Sequence, residues 1–332
     1  EAGTGGFVIN GVSENDRAGS SVSSAGDVNG DGFDDLIVGA DLDDPNGGFS
    51  GASFVVFGKT DGTTVELSDV EAGTGGFVIN GVSENDRAGS SVSSAGDVNG
   101  DGFDDLIVGA NGDDPNGSDS GASFVVFGGN FSGAVTQIGT LGDDTLTGTA
   151  ANDVIVGGTG ADVLVGAGGA DVLYGGAGDD VLEVSDLTFA RIDGGTGVDT
   201  LRLTGSGLTL DLDVLDNTSL TSIEVVDLNG GGNTLTISPV ELFRLAEGTN
   251  TLRVLGASGD AVTLTGGTWS RGADEVEGGM TFAVYTQGNA RLEVAAGVAV
   301  TGALALPAIE LSDVEAGTGG FVINGVSEND RA

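Results

Sequence analysis

Residues 26–40 read GDVNGDGFDDLIVGA, and residues 96–110 repeat them without change. Side-chain oxygens fall at alternate positions of each copy: Asp27, Asn29, Asp31 and Asp35 in the first, Asp97, Asn99, Asp101 and Asp105 in the second. A tight turn at Gly32 or Gly102 lets these oxygens, with the carbonyl of Phe33 or Phe103, converge on one centre. Such a flexible, oxygen-only cage suits Ca2+ and fits Mg2+ less well. The LIVGA that follows is short and β-branched, so each loop leads into a strand. A plain Asp/Asn/Gly turn between strands would look similar, but a second copy in the same setting favours the cation.

Outward from these loops, residues 1–40 recur as residues 71–110, a period of 70. The halves that follow share DDPNG and GASFVVFG, at 43–47 with 51–58 and at 113–117 with 121–128. Each unit therefore holds four short runs, FVING, SSVSSAGDV, DDLIVGA and ASFVVFG, bounded by Gly, Asn, Asp or Pro. Four strands per repeat is the pattern of a propeller blade. Residues 1 to about 130 resemble the FG-GAP repeat of integrin α-chain propellers and of many bacterial extracellular proteins. The resemblance implies that SSVSSAGDV is the innermost strand, DDLIVGA the second, GASFVVFG the third, and the GGFVINGV of the following segment the outer one. It also implies calcium in the loops. Closed propellers of that family have seven blades, whereas this chain has two complete inner sets.

Beyond Leu141 the period changes. Asp144, Asp153, Asp162, Asp171 and Asp180 stand nine residues apart, each followed two residues later by Leu146, Ile155, Leu164, Leu173 or Leu182. After an interruption at VSDLTFARID, a further copy supplies Asp199. The aliphatic positions are expected to stack inward. The nonapeptides GGTGADVLV, GAGGADVLY and GGAGDDVLE, residues 157–183, resemble the RTX calcium-binding repeat,. That resemblance implies a parallel β-roll with alternate repeats on its two faces. Calcium would lie between successive glycine-rich turns, held by backbone carbonyls and by Asp153, Asp162, Asp171 and Asp180, with Asp144 and Asp199 in the weaker flanking copies.

The remaining sequence is alternating Leu, Val, Ile and Thr, apart from SPVELFRLAEG. There Ser238 as cap, Pro239 at the first helical position, Glu241 and Gly248 predict one short helix. The expected organisation is all-β: two incomplete FG-GAP propeller-type blades at 1–135, an RTX parallel β-roll at 136–202, a β-rich domain with one helix at 203–306, and a linker with a partial third FG-GAP repeat at 307–332. Residues 310–332 duplicate residues 66–88. Glu14 to Arg17, which recur in each ENDRA segment, read as an exposed turn with a local ion pair. Trp269 reads as a packing anchor.

The chain has 332 residues and no histidine or cysteine, which removes disulfides, thiolate and imidazole metal sites, and His- or Cys-based catalysis,. Its formal charge of −41 must repel itself unless cations sit among the carboxylates, and it disfavours nucleic acid as a partner,. The most apolar stretch, 294–309, is interrupted by glycine and proline and too short for a membrane helix, and no export signal is visible,. The sequence also contains no GxSxG or HExxH motif,. The expected function is that of a secreted, non-enzymatic, calcium-binding structural or adhesive protein of the cell surface or matrix, exported by a type I-like route and folding on calcium. Two alternatives are a non-catalytic calcium-binding segment of a larger secreted RTX enzyme and an integrin-like adhesin with a surface glycan or protein ligand. Three copies of GGFVINGV, at 5–12, 75–82 and 319–326, against two inner blade sets predict head-to-tail self-association by a shared strand, the C-terminal copy filling the second blade and the N-terminal copy left free to complete another,. A covalent array with a unit of 314 residues would carry the same repeats.

Overall fold

The computed structural model describes residues 6–304 except 119 and 247. The first blade is an antiparallel sheet of Ser21–Gly26, Asp35–Ala40, Ala52–Val56 and Gly76–Asn80, in that order. Its fourth strand is the middle GGFVINGV copy, registered with Ala52 opposite Asn80 and Val56 opposite Gly76. The second blade has the matching strands Ala88–Gly96, Asp105–Ala110 and Ala122–Val126, with no fourth strand among the described residues. The two sheets share a core in which Ile37 and Val55 meet Val92, Leu106 and Val108.

The N-terminal copy of GGFVINGV does not lie free. Ile9–Asn10 pairs in parallel with Val65–Glu66, and Phe7, Ile9 and Val12 pack against the first blade. Alternating apolar residues on this stretch find their own blade's outer face, so the expectation of a spare N-terminal donor is corrected. A helix that the sequence reading missed, Leu67–Glu71, buries Leu67 and Val70 in the same cluster. Its signal was the pair of apolar residues three apart.

The nonapeptides wind into a parallel roll. Gln137–Ile138, Val154–Thr159, Val172–Ala177, Arg191–Thr196 and Leu220–Thr221 form one sheet. Thr145–Thr147, Val163–Val165, Val181–Val184 and Thr200–Leu203 begin the other. Residue i pairs with i+18, two nonapeptides per turn, so alternate repeats occupy alternate faces. Ile155, Leu164, Leu173, Leu182 and Leu201 point inward and are fully buried. One extra residue at the interruption is absorbed in a single turn, where Leu173 pairs with Ile192.

The second sheet passes Leu203 without a break, through Val225–Asp227, Thr251–Leu255 and Ala290–Ala295. A single apolar cluster runs from Ile155 to Val294. Past position 203 the nine-residue aspartate series has ended while the core continues. The expected helix is present as Pro239–Leu245, with the Ser238 hydroxyl accepting from Glu241 N–H; the Glu241 carboxylate turns instead to Arg244. Trp269 is fully buried, and its indole N–H donates to the Thr265 carbonyl at 2.9 Å.

Leu173 lies in the middle of the inward stack, so Leu173→Ala is expected to destabilise the calcium-loaded roll by about 2–5 kcal/mol. The exposed Leu141 makes Leu141→Ala the neutral comparison in urea unfolding,.

Candidate metal centres

The roll places its aspartates in a ladder. The Asp162 Oδ1 accepts from Asp144 N–H at 2.8 Å, Asp180 Oδ1 from Asp162 N–H at 2.7 Å, and Asp199 Oδ1 from Asp180 N–H at 2.8 Å. On the opposite side Asp171 Oδ1 accepts from Asp153 N–H at 2.9 Å. Each carboxylate thus registers one turn on the preceding turn. The first ladder ends on a residue the sequence reading did not single out: Glu224 Oε2 accepts from Asp199 N–H at 3.0 Å. The nine-residue spacing could not reveal it, because 25 residues separate Glu224 from Asp199.

The second oxygens distinguish these residues. Oδ2 of Asp162, of Asp180 and of Asp199 is buried without a hydrogen-bond partner. A Cβ on Gly157, Gly175 or Gly194 would stand 2.5, 2.5 or 2.7 Å from the respective Oδ2, and 2.5, 2.3 or 2.0 Å from the carbonyl oxygen of Gly175, Gly194 or Ser222. Only glycine leaves that space between carboxylate and carbonyl open. Asp260, farther along, shows the contrast: it is equally buried, but its two oxygens accept from the N–H groups of Gly230, Gly232, Asn233 and Ala257. A buried anionic oxygen with no donor is costly. The donor set at Asp162, Asp180 and Asp199, carboxylate beside carbonyl, fits a hard cation.

Burial pushes the carboxyl of Asp180 up to about 6, and that of Asp199 up to about 8 with help from the charges of Asp180 and Glu224. Asp162 and Asp171 are raised by the same cause. At the ladder starts, donation from Thr140 holds Asp144 below its ordinary value, and donation from Thr149 does so for Asp153.

In the blade loops, Asp27 Oδ1 accepts from Gly30 and Asp31 N–H at 2.8 and 3.0 Å, and Oδ2 from Gly32 N–H at 2.7 Å. Asp97 repeats this with Gly100, Asp101 and Gly102. Asp31 and Asp101 each accept from the N–H two residues on, at Phe33 and Phe103. Asp35 accepts from Val28 and Gly58, and Asp105 from Val98 and Gly128, so both tie the loop to the end of the third strand. Burial raises Asp35 to about 8. Among the described residues no three acidic side chains converge on a common point, in the loops or in the roll. Asn29 is fully buried with both side-chain polar atoms unpartnered, whereas Asn99 exchanges hydrogen bonds with Asp101.

This difference between identical loops comes from their surroundings. The first loop is wedged between the second and the roll: Tyr174 Oη donates to Asp27 Oδ2, Asp104 Oδ2 accepts from Asp27 N–H at 2.8 Å, and Arg191 pairs with Asp34 at 2.8 Å. Phe103 packs on Val156, Val172 and Tyr174 of the roll and is buried, while Phe33 stays exposed. The ENDRA turns also differ from expectation. Asp16 and Asp86 are buried, and no ion pair with Arg17 or Arg87 forms among the described residues.

Residues 18–56 and 88–126 match the FG-GAP repeat, and residues 138–173 and 156–184 match the RTX calcium-binding nonapeptide repeat. The chain carries both repeats. Its RTX block makes calcium the cofactor. The chain is also 36% identical over 110 residues to integrin alpha-5 of Xenopus laevis, which covers 32% of this chain and 10% of that protein.

With divalent cations removed, the folded RTX roll retains protons on Asp180 and Asp199, and the first FG-GAP loop on Asp35, to higher pH than the unfolded chain does. The unfolding free energy should therefore fall as pH rises from about 4 to about 8. In chelator at one fixed temperature the folded fraction is expected to be smaller at pH 8 than at pH 5, and saturating calcium should remove most of the difference. A chelated protein that gained stability over that interval would contradict the assignment.

Proposed function

We propose that this is a secreted, non-catalytic structural or adhesive protein of the cell surface or matrix whose folding is coupled to calcium. The observation that carries the proposal is the set of unpartnered buried oxygens on Asp162, Asp180 and Asp199 beside glycine-turn carbonyls. Calcium supplies the positive charge that these oxygens lack. Asp144, Asp153 and Asp171 complete the roll's ligand ladders. Asp27, Asn29, Asp31, the Phe33 carbonyl and Asp35 would close round a further ion in the first blade, and Asp97, Asn99, Asp101, the Phe103 carbonyl and Asp105 round one in the second, each loop exchanging present hydrogen bonds for the cation.

Since the cages do not exist in an unfolded chain, binding free energy becomes folding free energy. At a net charge of −41 the cation-free chain stays expanded in a calcium-poor cytosol, which suits type I-like export, and folds where calcium is plentiful,. Carboxylates occupied with backbone donors and cations, in a chain without histidine or cysteine, leave little for catalysis.

Assembly is the second half of the proposal. Among the described residues the strand Ala122–Val126 of the second blade is an unpaired edge, the kind of surface that recruits another strand,. Donation repeated in one direction does not close and builds a filament. The C-terminal GGFVINGV at 319–326 is the donor; it lies outside the described residues. Electron microscopy of the full chain with calcium should show fibres, and deletion of residues 310–332 should leave single particles. Normal fibres from the truncated chain would refute strand sharing.

A further inference from the structure

The two blades contain the same third strand in opposite environments. ASFVV at Ala52–Val56 is buried throughout, with Phe54 1% and Val55 0% exposed. ASFVV at Ala122–Val126 leaves Phe124 39% and Val125 48% exposed. The sequences are identical, so the difference lies in what covers them. Two elements from one segment cover the first copy's edge and its Phe54 face, whereas Val55, on the other face, is buried against Val92, Leu106 and Val108 of the second blade. Gly76–Asn80 pairs with its edge, and the helix Leu67–Glu71 seats Leu67 and Val70 against Val38, Ala40, Phe54 and Val56.

The counterparts of those four residues, 70 positions on, are Val108, Ala110, Phe124 and Val126. All four line an apolar groove of about 200 Å³ in the second blade. Among the described residues the seat of the helix in the first blade is thus a groove without an occupant in the second, next to the unpaired strand edge. Both missing elements are encoded once more, because residues 310–332 repeat residues 66–88 in full.

We propose that residues 310–332 cap the second blade with a helix as well as a strand. Leu311 and Val314 fill the groove as Leu67 and Val70 fill theirs, and 320–324 pairs antiparallel with Ala122–Val126. The register follows from the first blade: Asn324 opposite Ala122, Ile323 opposite Ser123, Val322 opposite Phe124, Phe321 opposite Val125 and Gly320 opposite Val126. The inference rests on the reading of Ala122–Val126 as an acceptor edge. It adds the register of the donor strand and a second contact, by a helix, that a bare strand would not make.

The chain contains no cysteine, so engineered pairs report the register directly. Directly opposed antiparallel residues lie within disulfide reach. In the calcium-loaded full chain, Ser53→Cys with Ile79→Cys calibrates the oxidation, since the structure pairs these residues. Ser123→Cys with Ile323→Cys is expected to crosslink to a similar extent. Ser123→Cys with Val322→Cys, one residue out of register, should crosslink at least about tenfold less. Adding Leu311→Asp to the in-register pair should lower its crosslinking severalfold, because the groove then receives a charge. Equal yields from both registers, no crosslink while the calibration pair reacts, or indifference to Leu311→Asp would overturn the inference. A ladder of crosslinked multimers places the cap between copies, and a crosslinked monomer places it within one copy. Either supports the cap, and the monomer alone refutes the filament. Fibres that form without the in-register crosslink would refute the cap and leave the filament standing.

Discussion

One hydrogen bond, repeated from turn to turn, sets the roll: the carboxylate of one aspartate receives the N–H of the aspartate one turn before it. The same contact that fixes register forces carboxylates into a row at about the spacing of neighbouring strands, roughly 4.8 Å. At an effective dielectric of about 20, adjacent charges at that distance repel by on the order of 3 kcal/mol per pair. A whole domain has only about 5–15 kcal/mol of stability to set against this. The ladder is therefore incompatible with full ionisation unless a cation lies within it. The carboxyl pKa values, raised first by burial and then by neighbouring carboxylates, and the unpartnered Oδ2 atoms mark where that constraint bears. Past Asp199 the constraint relaxes. Asp260 has its oxygens engaged by backbone N–H groups, and the same aliphatic core continues beneath its loop.

The blades show a second principle, that identical sequence does not give identical sites. Asp27 and Asp97 hold their own loops with the same three backbone donors, yet Tyr174 and Asp104 engage only the first loop. The roll is thereby built into the environment of one blade site. The 200 Å³ space at this junction is lined by Asp27, Asp97, Phe103, Asp104, Tyr174 and Asp193, so carboxylates from both blades and the roll share one recess.

Much of this was legible in the sequence because repetition makes geometry predictable. The nine-residue Asp series with Ile155, Leu164, Leu173 and Leu182 two residues on predicts an inward stack, the RTX resemblance implies alternate repeats on two faces, and both are present. The strand order of the first blade is the one that the FG-GAP resemblance implies. What was not legible depends on contacts without a period. Glu224 joins the Asp ladder across 25 residues, and Tyr174 reaches Asp27 across 147. The helix Leu67–Glu71 has a single turn's worth of apolar pattern, too little to separate it from a loop. The N-terminal strand was misread because counting copies cannot show that Phe7, Ile9 and Val12 have a surface of their own to cover.

The central claim is that the aspartate ladder cannot fold fully charged without calcium. Far-ultraviolet circular dichroism of the full chain at pH 8 tests it, first in chelator and then through a calcium titration with magnesium as the control. The account expects a largely unstructured spectrum in chelator, a β-sheet spectrum once calcium fills the sites, and little response to magnesium at the same concentration. A β-sheet spectrum of the same intensity with and without calcium would contradict it.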